Sequence, residues 1–143
     1  IVTLGKAYGL HGAFVLGDRS LKEFLINFSR SFIYTTAPSE HHVKSVMQRF
    51  NWMKSAEMKR VQLRKNIALF AKLTGLESET AIFNYKIGSV EKAKKLASLL
   101  LEKGIACKAI LSPTVPKGEE RLRICIHSFN SEEDLILLAN QLK

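Results

Sequence analysis

The sequence predicts an α/β fold in which a long helix joins a strand-rich start to a small C-terminal α/β domain. Two features of the 143 residues carry this prediction. Apolar residues recur at helical spacing from about residue 40 to residue 73. After residue 75, three apolar, strand-like runs are interspersed with two helical patterns. We therefore expect three parts, over residues 1–37, 38–74 and 75–143.

The first part contains two short apolar runs on either side of a glycine-rich turn, which predict strands over 1–6 and 12–17. Apolar residues at helical spacing predict a short amphipathic helix over 20–30. The β-branched and aromatic run 31–36 predicts a further strand, which Pro38 ends.

The second part predicts one long helix that Gly75 caps at its C-terminal end. Its buried stripe would be made of the apolar residues at helical spacing. These are Val43, Val46, Met47, Phe50, Met53, Val61, Ile67 and Phe70.

The third part predicts a sheet of three strands with two helices. The strands are expected over 81–87, 106–111 and 121–126, and the helices from Ser89 to Lys103 and from Ser131 onward. Asp134 stands three residues after Ser131, at the spacing of a capping box. In the third strand, alternation places Arg121 and Arg123 on the face opposite Leu122.

Composition and spacing argue against several classes of partner. The net charge is +9, but the basic residues of the long helix are scattered among its apolar positions, which is typical of a solvated face rather than a nucleic-acid footprint. No apolar run reaches the ~20 residues of a membrane span, and no spacing indicates a metal site. Cys107 and Cys125 lie in apolar runs, which favours buried free thiols in a reducing cytoplasm. We expect a cytoplasmic protein that binds no nucleic acid, membrane or metal.

Lys6 lies among small residues in the stretch T-L-G-K-A-Y-G-L-H-G. A lysine amine that is desolvated or near other cations can attack a carbonyl, and small neighbours would admit a planar ring. The hydroxyl of Thr3 suits an anionic oxygen. On spacing alone an ordinary turn lysine and a β-forming threonine are the simpler interpretation, so both stay open at this point.

The same ten residues resemble the cofactor-lysine motif of the class II aminotransferases, which depend on pyridoxal 5'-phosphate (PLP). Every constrained position of that motif is matched. The matching residues are Thr3, Leu4, Gly5, Lys6, Ala7, Tyr8, Gly9 and Gly12.

Two further stretches resemble segments of the α-oxoamine synthases within that class. They are F-I-Y-T-T-A at 32–37 and S-P-T-V-P-K-G-E-E-R-L-R-I at 112–124. After Ala37 the sequence departs from the family, which continues Leu-Pro-Pro. The resemblance implies the C-terminal part of a fold-type I PLP-dependent transferase: the end of the large domain, a long linking helix and the small domain. Ile1 begins inside a predicted strand, which also leads us to expect the C-terminal part of a longer protein.

Site roles follow from the resemblance. Lys6 would form the internal aldimine with PLP and later move the substrate Cα proton, and Thr3 would bind the cofactor phosphate. Thr35 would reach the phosphate in the other subunit's site, since these enzymes are homodimers with shared active sites. Arg123 would bind the amino-acid carboxylate, for which a guanidinium fork is suited.

The implied activity is an acyl transfer between an amino acid and an acyl-CoA. Within the family the likeness is to members that condense L-alanine with pimeloyl-CoA, or pimeloyl carrier protein, with release of CO₂ in biotin biosynthesis. Sibling enzymes join glycine to an acetyl group or serine to a long acyl chain. The chain lacks the family's ring-stacking histidine, its aspartate for the pyridine nitrogen and its glycine-rich phosphate loop, so we expect these residues alone to be inactive. A non-catalytic basic interaction domain is the alternative of a different class.

Overall fold

The chain forms two compact units, the first over Ile1–Ala56 and the second from Glu57 onward. They are seen in a computed structural model that describes residues 1–142. The boundary between the units falls inside the segment predicted as one long helix. Our division at residues 37 and 74 concerns the arrangement of a complete transferase and stays a prediction.

The first unit starts with a small hairpin. Strand β1 (Val2–Thr3) pairs antiparallel with β2 (Ala13–Phe14). The loop between them closes on itself, because the amide of Leu4 donates to the carbonyl of Gly12 over 2.9 Å and the amide of Leu10 to that of Leu4 over 3.0 Å. The two predicted strands are therefore present, but each contains only two residues.

Two helices follow the hairpin, where one helix and one strand were predicted. Helix α1 (Arg19–Phe28) is capped by Asp18, and α2 spans Arg30–Ile33. The predicted strand at 31–36 is wrong. The amides of Phe32 and Ile33 donate to the carbonyl of Ser29, and residues 1–142 offer this segment no strand to pair with. The β preference of such residues depends on a neighbouring strand, so local helical bonds prevail.

The predicted long helix is two helices. Helix α3 (Glu40–Ser55) is followed by its C-cap Ala56, whose amide donates a hydrogen bond to the carbonyl of Met53. Helix α4 spans Glu57–Thr74. The predicted buried stripe is wrong for α3, in which Val46 alone is buried within the described residues. Gly75 follows α4 with a φ of 72° and donates to the carbonyl of Ala71, as predicted for a cap.

The second unit contains the predicted three-stranded sheet and two helices. Strands β3 (Ile82–Lys86), β4 (Lys108–Ile110) and β5 (Arg121–Cys125) are antiparallel in the order β3–β5–β4. Helices α5 (Val90–Glu102) and α6 (Glu132–Gln141) complete the unit. The capping box of Ser131 and Asp134 is present, which confirms the predicted start of α6.

The helices cover one face of the sheet. Phe83, Leu122 and Ile124 on that face are at most 1% exposed and belong to the same core as Phe70 of α4 and Leu135 of α6. The rings of Phe70 and Phe83 meet edge to face with centroids 5.0 Å apart.

The opposite face of the sheet, which we call the open face, carries the polar residues of the same strands. They are Asn84 and Lys86 on β3, Lys108 on β4, and Arg121 and Arg123 on β5. Cys125 is exposed on this face as well, so the prediction that both thiols are buried is wrong for this one. Both cysteines are free, and burial raises the pKa of the Cys107 thiol.

No helix within residues 1–142 is long and apolar enough to cross a membrane.

Candidate functional site

Lys6 lies in the loop that joins β1 to β2. Its backbone carbonyl accepts a hydrogen bond from the amide of Gly9 over 3.0 Å, so the backbone is held while the side chain is exposed. The amine forms no hydrogen bond or ion pair with any other residue of 1–142. The amine is therefore accessible to a ligand, although residues 1–142 alone do not desolvate it.

The backbone beside Lys6 leaves space for a ligand. A Cβ placed on Gly5 would meet only the carbonyl oxygen of Leu10, at 3.8 Å, and the φ of Gly5 lies outside the left-handed region. The packing of residues 1–142 therefore does not require glycine at this position. By contrast, Gly9 and Gly12 have φ values of 63° and 102°, which L side chains rarely adopt. These two glycines shape the loop, whereas Gly5 keeps it unobstructed.

The two predicted threonines also lie in the first unit. Thr3 is the last residue of β1, three positions before Lys6, and Thr35 lies in the bend after α2. Both are exposed, and neither hydroxyl has a hydrogen-bond partner among the described residues. Each hydroxyl can therefore donate to an anionic oxygen. The structure does not assign them a ligand, and their roles stay predictions.

Arg123 lies at the middle of β5, the central strand of the sheet, in the second unit. Its neighbours Leu122 and Ile124 are buried on the helix-covered face, so alternation directs Arg123 to the open face, as predicted. The guanidinium is exposed and forms no ion pair or hydrogen bond within residues 1–142.

Arg121 differs from Arg123 in its surroundings. Its guanidinium donates to the side chain of Glu119 over 3.0 Å and to the carbonyl of the same residue over 2.8 Å. Glu119 also pairs with Lys86. Hydrogen bonding to Lys86 is the main cause that lowers the pKa of the Glu119 carboxyl, and the charge of Arg121 contributes. The guanidinium of Arg121 is thus already bonded to Glu119, whereas that of Arg123 is available to a ligand.

Two residues that the sequence analysis missed stand beside Arg123. Asn84 on β3 and Lys108 on β4 are its direct cross-strand partners on the open face. They come from distant parts of the sequence, so only the strand order and register could have brought them together. Period-two alternation around Phe83 and Ala109 was the available signal. It places Asn84 and Lys108 on the open face, but it does not show that they lie beside Arg123.

An apolar groove of about 810 Å³ lies between β2 and α1 and contains none of the predicted site residues. Leu16, Leu21, Leu25 and Phe32 are among the residues that line it. Within residues 1–142, no three His, Cys, Asp or Glu side chains are placed to hold a metal ion. Reactive and anion-binding groups are instead found in the Lys6 loop and on the open face.

Comparison with known proteins decides the family. Residues 1–142 match the family model described as aminotransferase class I and II. The chain belongs to the class I and II aminotransferase family. This match confirms the resemblance that was based on the Lys6 motif. The match covers residues of both compact units, not the motif alone.

The curated relatives of this family member include enzymes named 8-amino-7-oxononanoate synthase. One from Stutzerimonas stutzeri is 38% identical over 139 residues, which cover 93% of this chain and 36% of the relative. One from Methylobacillus flagellatus is 39% identical over 141 residues, which cover 94% of this chain and 36% of the relative. The chain thus spans little more than a third of the length of these relatives.

Solved structures confirm the predicted fold class. The 8-amino-7-oxononanoate synthase of Francisella tularensis matches 98% of this chain, with 42% of its own length covered, at 28% identity and a TM-score of 0.79. The serine palmitoyltransferase of Sphingomonas wittichii matches 98% of this chain, with 37% of its own length covered, at 24% identity and a TM-score of 0.83. The second likeness shows the shared fold alone.

Proposed function

We propose that the intact protein containing this chain is a PLP-dependent acyltransferase of the 8-amino-7-oxononanoate synthase type. It would join L-alanine to pimeloyl-CoA, or pimeloyl carrier protein, with release of CO₂ and the thiol, in the cytoplasm. The names of the relatives at 38% and 39% identity support this activity. The single structural observation that carries it is the exposed amine of Lys6, which has no partner within residues 1–142 and is flanked by Gly5 and Ala7.

The residues of the Lys6 loop fit PLP. Lys6 offers its amine to the cofactor's aldehyde, the backbone at Gly5 leaves space for a flat ring, and Thr3 at the end of β1 offers its hydroxyl to the phosphate; neither polar group has a partner among the described residues. When bound, the cofactor acts as an electron sink for negative charge at the α-carbon of the amino acid. Residues outside this chain would supply the rest of the cofactor site.

Lys6 would have two tasks in this protein. Its amine would hold the cofactor, and it would take the proton from the α-carbon of the amino acid as a general base. A flexible side chain with a mobile amine suits both tasks, because the amine must change position between them. The loop's internal hydrogen bonds keep the backbone in place while the side chain moves.

Arg123 would bind the carboxylate of the amino acid. A guanidinium presents two parallel N–H donors to the two oxygens of a carboxylate, which fixes the orientation of the substrate as well as its position. The absence of an internal partner within residues 1–142 leaves both donors available. Thr35 would bind the phosphate in the site of a second subunit, which makes a homodimer part of the proposal.

The cofactor assignment is tested by the visible absorbance of lysine-bound PLP in the intact protein. Lys6→Ala should abolish the band. Lys44→Ala is the matched control, because Lys44 is an exposed lysine of the same unit that already pairs with Glu40 over 2.7 Å. Retention of the band in the Lys6 variant would refute the assignment, whereas salt-dependent nucleic-acid binding by the wild type would favour a non-catalytic basic domain.

The substrates are tested separately. Alanine, glycine and serine are each combined with pimeloyl-CoA, acetyl-CoA and palmitoyl-CoA, and kcat/KM is measured. We expect turnover to be highest with alanine and pimeloyl-CoA. Preference for glycine with acetyl-CoA, or for serine with palmitoyl-CoA, would move the protein to one of the sibling activities and leave the cofactor chemistry intact.

A further inference from the structure

The open face of the sheet carries two like-charge pairs, each directly opposite across neighbouring strands. The first pair is Arg121 on β5 and Lys86 on β3. The second pair is Arg123 on β5 and Lys108 on β4. Like charges at directly opposed positions destabilise a sheet. An anion placed between the two members of a pair would relieve this repulsion.

The first pair has an internal anion. The carboxylate of Glu119 bridges it, with Lys86 on one oxygen and Arg121 on the other, 3.0 Å away. The depressed pKa of Glu119 agrees with a carboxylate held in its charged form between two cations. This arrangement shows how the open face accommodates two opposed basic residues.

The second pair has no such anion among residues 1–142. Arg123 and Lys108 are both exposed, and neither side chain forms an ion pair or hydrogen bond within residues 1–142. Asn84, the other cross-strand partner of Arg123, is likewise exposed, and its side-chain amide has no partner in the described part of the chain. Three residues with donor side chains thus stand in a row across the sheet, with Arg123 in the middle.

We propose that Lys108 is a second substrate-binding residue, which binds the amino-acid carboxylate together with Arg123 while Asn84 flanks the same site. This rests on the proposed function, because it takes the ligand of Arg123 to be the carboxylate of the amino acid. The carboxylate of Glu119, which bridges Arg121 and Lys86, shows this arrangement for the first pair of the same sheet. The ligand's carboxylate would occupy the equivalent place between Arg123 and Lys108.

The charge of the ligand follows from this arrangement. Two cations opposite one another favour a fully ionised carboxylate and disfavour a neutral amide of the same size, since the amide cannot compensate the repulsion. Lys108 would therefore contribute to discrimination between an amino acid and its amide. Its effect should appear in binding of the amino acid rather than in the chemical step.

The test uses the intact protein loaded with PLP and compares Lys108→Met with Lys86→Met. Methionine keeps the length of the side chain and removes the charge. Lys86 is the matched control because it occupies the corresponding position of the first pair, where Glu119 is its partner. Steady-state KM and kcat for alanine are measured, and binding of alanine and of alaninamide is followed by the absorbance change of the bound cofactor.

We expect Lys108→Met to raise the KM for alanine about 3- to 10-fold, the loss of one exposed charge-assisted contact, with kcat changed less than about twofold. Binding of alaninamide should be unchanged, and Lys86→Met should leave both ligands unaffected. An unchanged affinity for alanine in Lys108→Met would overturn the proposal. So would a lower melting temperature with unchanged affinity, because it would mean that Lys108 pairs with another part of the protein.

The failure of this proposal can be told apart from failure of the proposed function. If wild-type protein binds alanine and Arg123→Lys weakens that binding while Lys108→Met behaves like Lys86→Met, only the role of Lys108 is wrong. If wild-type protein shows no absorbance change with alanine, the proposed function and the role of Lys108 both fail.

Discussion

The side-chain amide of Asn66 donates a hydrogen bond to the backbone carbonyl of His127 over 2.9 Å. A second bond of the same length reaches the carbonyl of Asn130, and the amide oxygen accepts from Gln62. Asn66 is only 4% exposed, so these bonds are shielded from water. Through them α4 holds the turn between β5 and α6, and thereby the end of the strand that carries Arg123.

Asn66→Ala should lower the free energy of unfolding by about 2 to 3 kcal/mol, because the carbonyl oxygens of His127 and Asn130 would lose the donor that Asn66 provides. Urea unfolding of the intact protein measures the change. Lys65→Ala is the control, since Lys65 is the neighbouring exposed residue of α4 and its removal should change the free energy by no more than about 0.5 kcal/mol. Equal effects of both substitutions would contradict the role of Asn66.

Phe70→Ala should destabilise the second unit more strongly. Phe70 is fully buried and packs edge to face on Phe83, so its removal would leave a cavity and cost about 3 to 5 kcal/mol. Met58→Ala on the same helix is the comparison, because Met58 is 79% exposed. Denaturant midpoints of the two variants should differ clearly, and similar midpoints would show that α4 is not packed as described.

Gly5→Val should separate folding from cofactor binding. The position has a permitted φ and free space for a Cβ, so thermal stability without cofactor should be nearly unchanged. Affinity for PLP should fall at least about tenfold, because the side chain would fill the space beside Lys6. Titration of the cofactor-free protein with PLP gives the affinity. Gly12→Val, at a φ of 102°, should instead lower stability itself.

Arg123→Lys should raise the KM for alanine by about tenfold or more, because a single ammonium replaces a two-pronged donor. Arg121→Lys should have a much smaller effect on KM, since Arg121 is already bonded to Glu119. Kinetics with varied alanine at saturating acyl donor measure both. A larger effect at position 121 would exchange the roles of the two arginines.

The bridge of Glu119 should make stability depend on pH in the acidic range. Hydrogen bonding to Lys86 holds the pKa of Glu119 below its usual range. The bridge therefore stabilises the fold fully above the unfolded-state pKa of about 4.3, and this contribution is lost as the pH falls through the lower folded-state pKa. Wild type should melt above Glu119→Gln near pH 7, and the difference should shrink toward pH 3. A difference that is constant with pH would contradict the bridge.

The second unit could be predicted from the sequence because its signals are local. Ser131 and Asp134 lie three residues apart, Gly75 follows its own helix, and the alternation around Leu122 needs only one strand. The strand at 31–36 and the buried stripe of α3 could not be predicted in the same way. Both depend on what lies beside these segments, and a β-branched run without a partner strand becomes the helix Arg30–Ile33.

The candidate site shows the same difference between local and non-local signals. Lys6 and Arg123 were found because short motifs surround them. Lys108 and Asn84 lack such a motif, and they become visible only when the register of three strands is known.

The central position of β5 has a consequence for the rigidity of the ligand-binding groups. Strands on both sides hydrogen-bond to β5, so its amides should be among the slowest of the second unit to exchange with deuterium. The backbone of Arg123 is therefore fixed before any substrate arrives, and only the side chain must be ordered. A smaller loss of conformational entropy on binding is the result, which favours affinity without any additional contact.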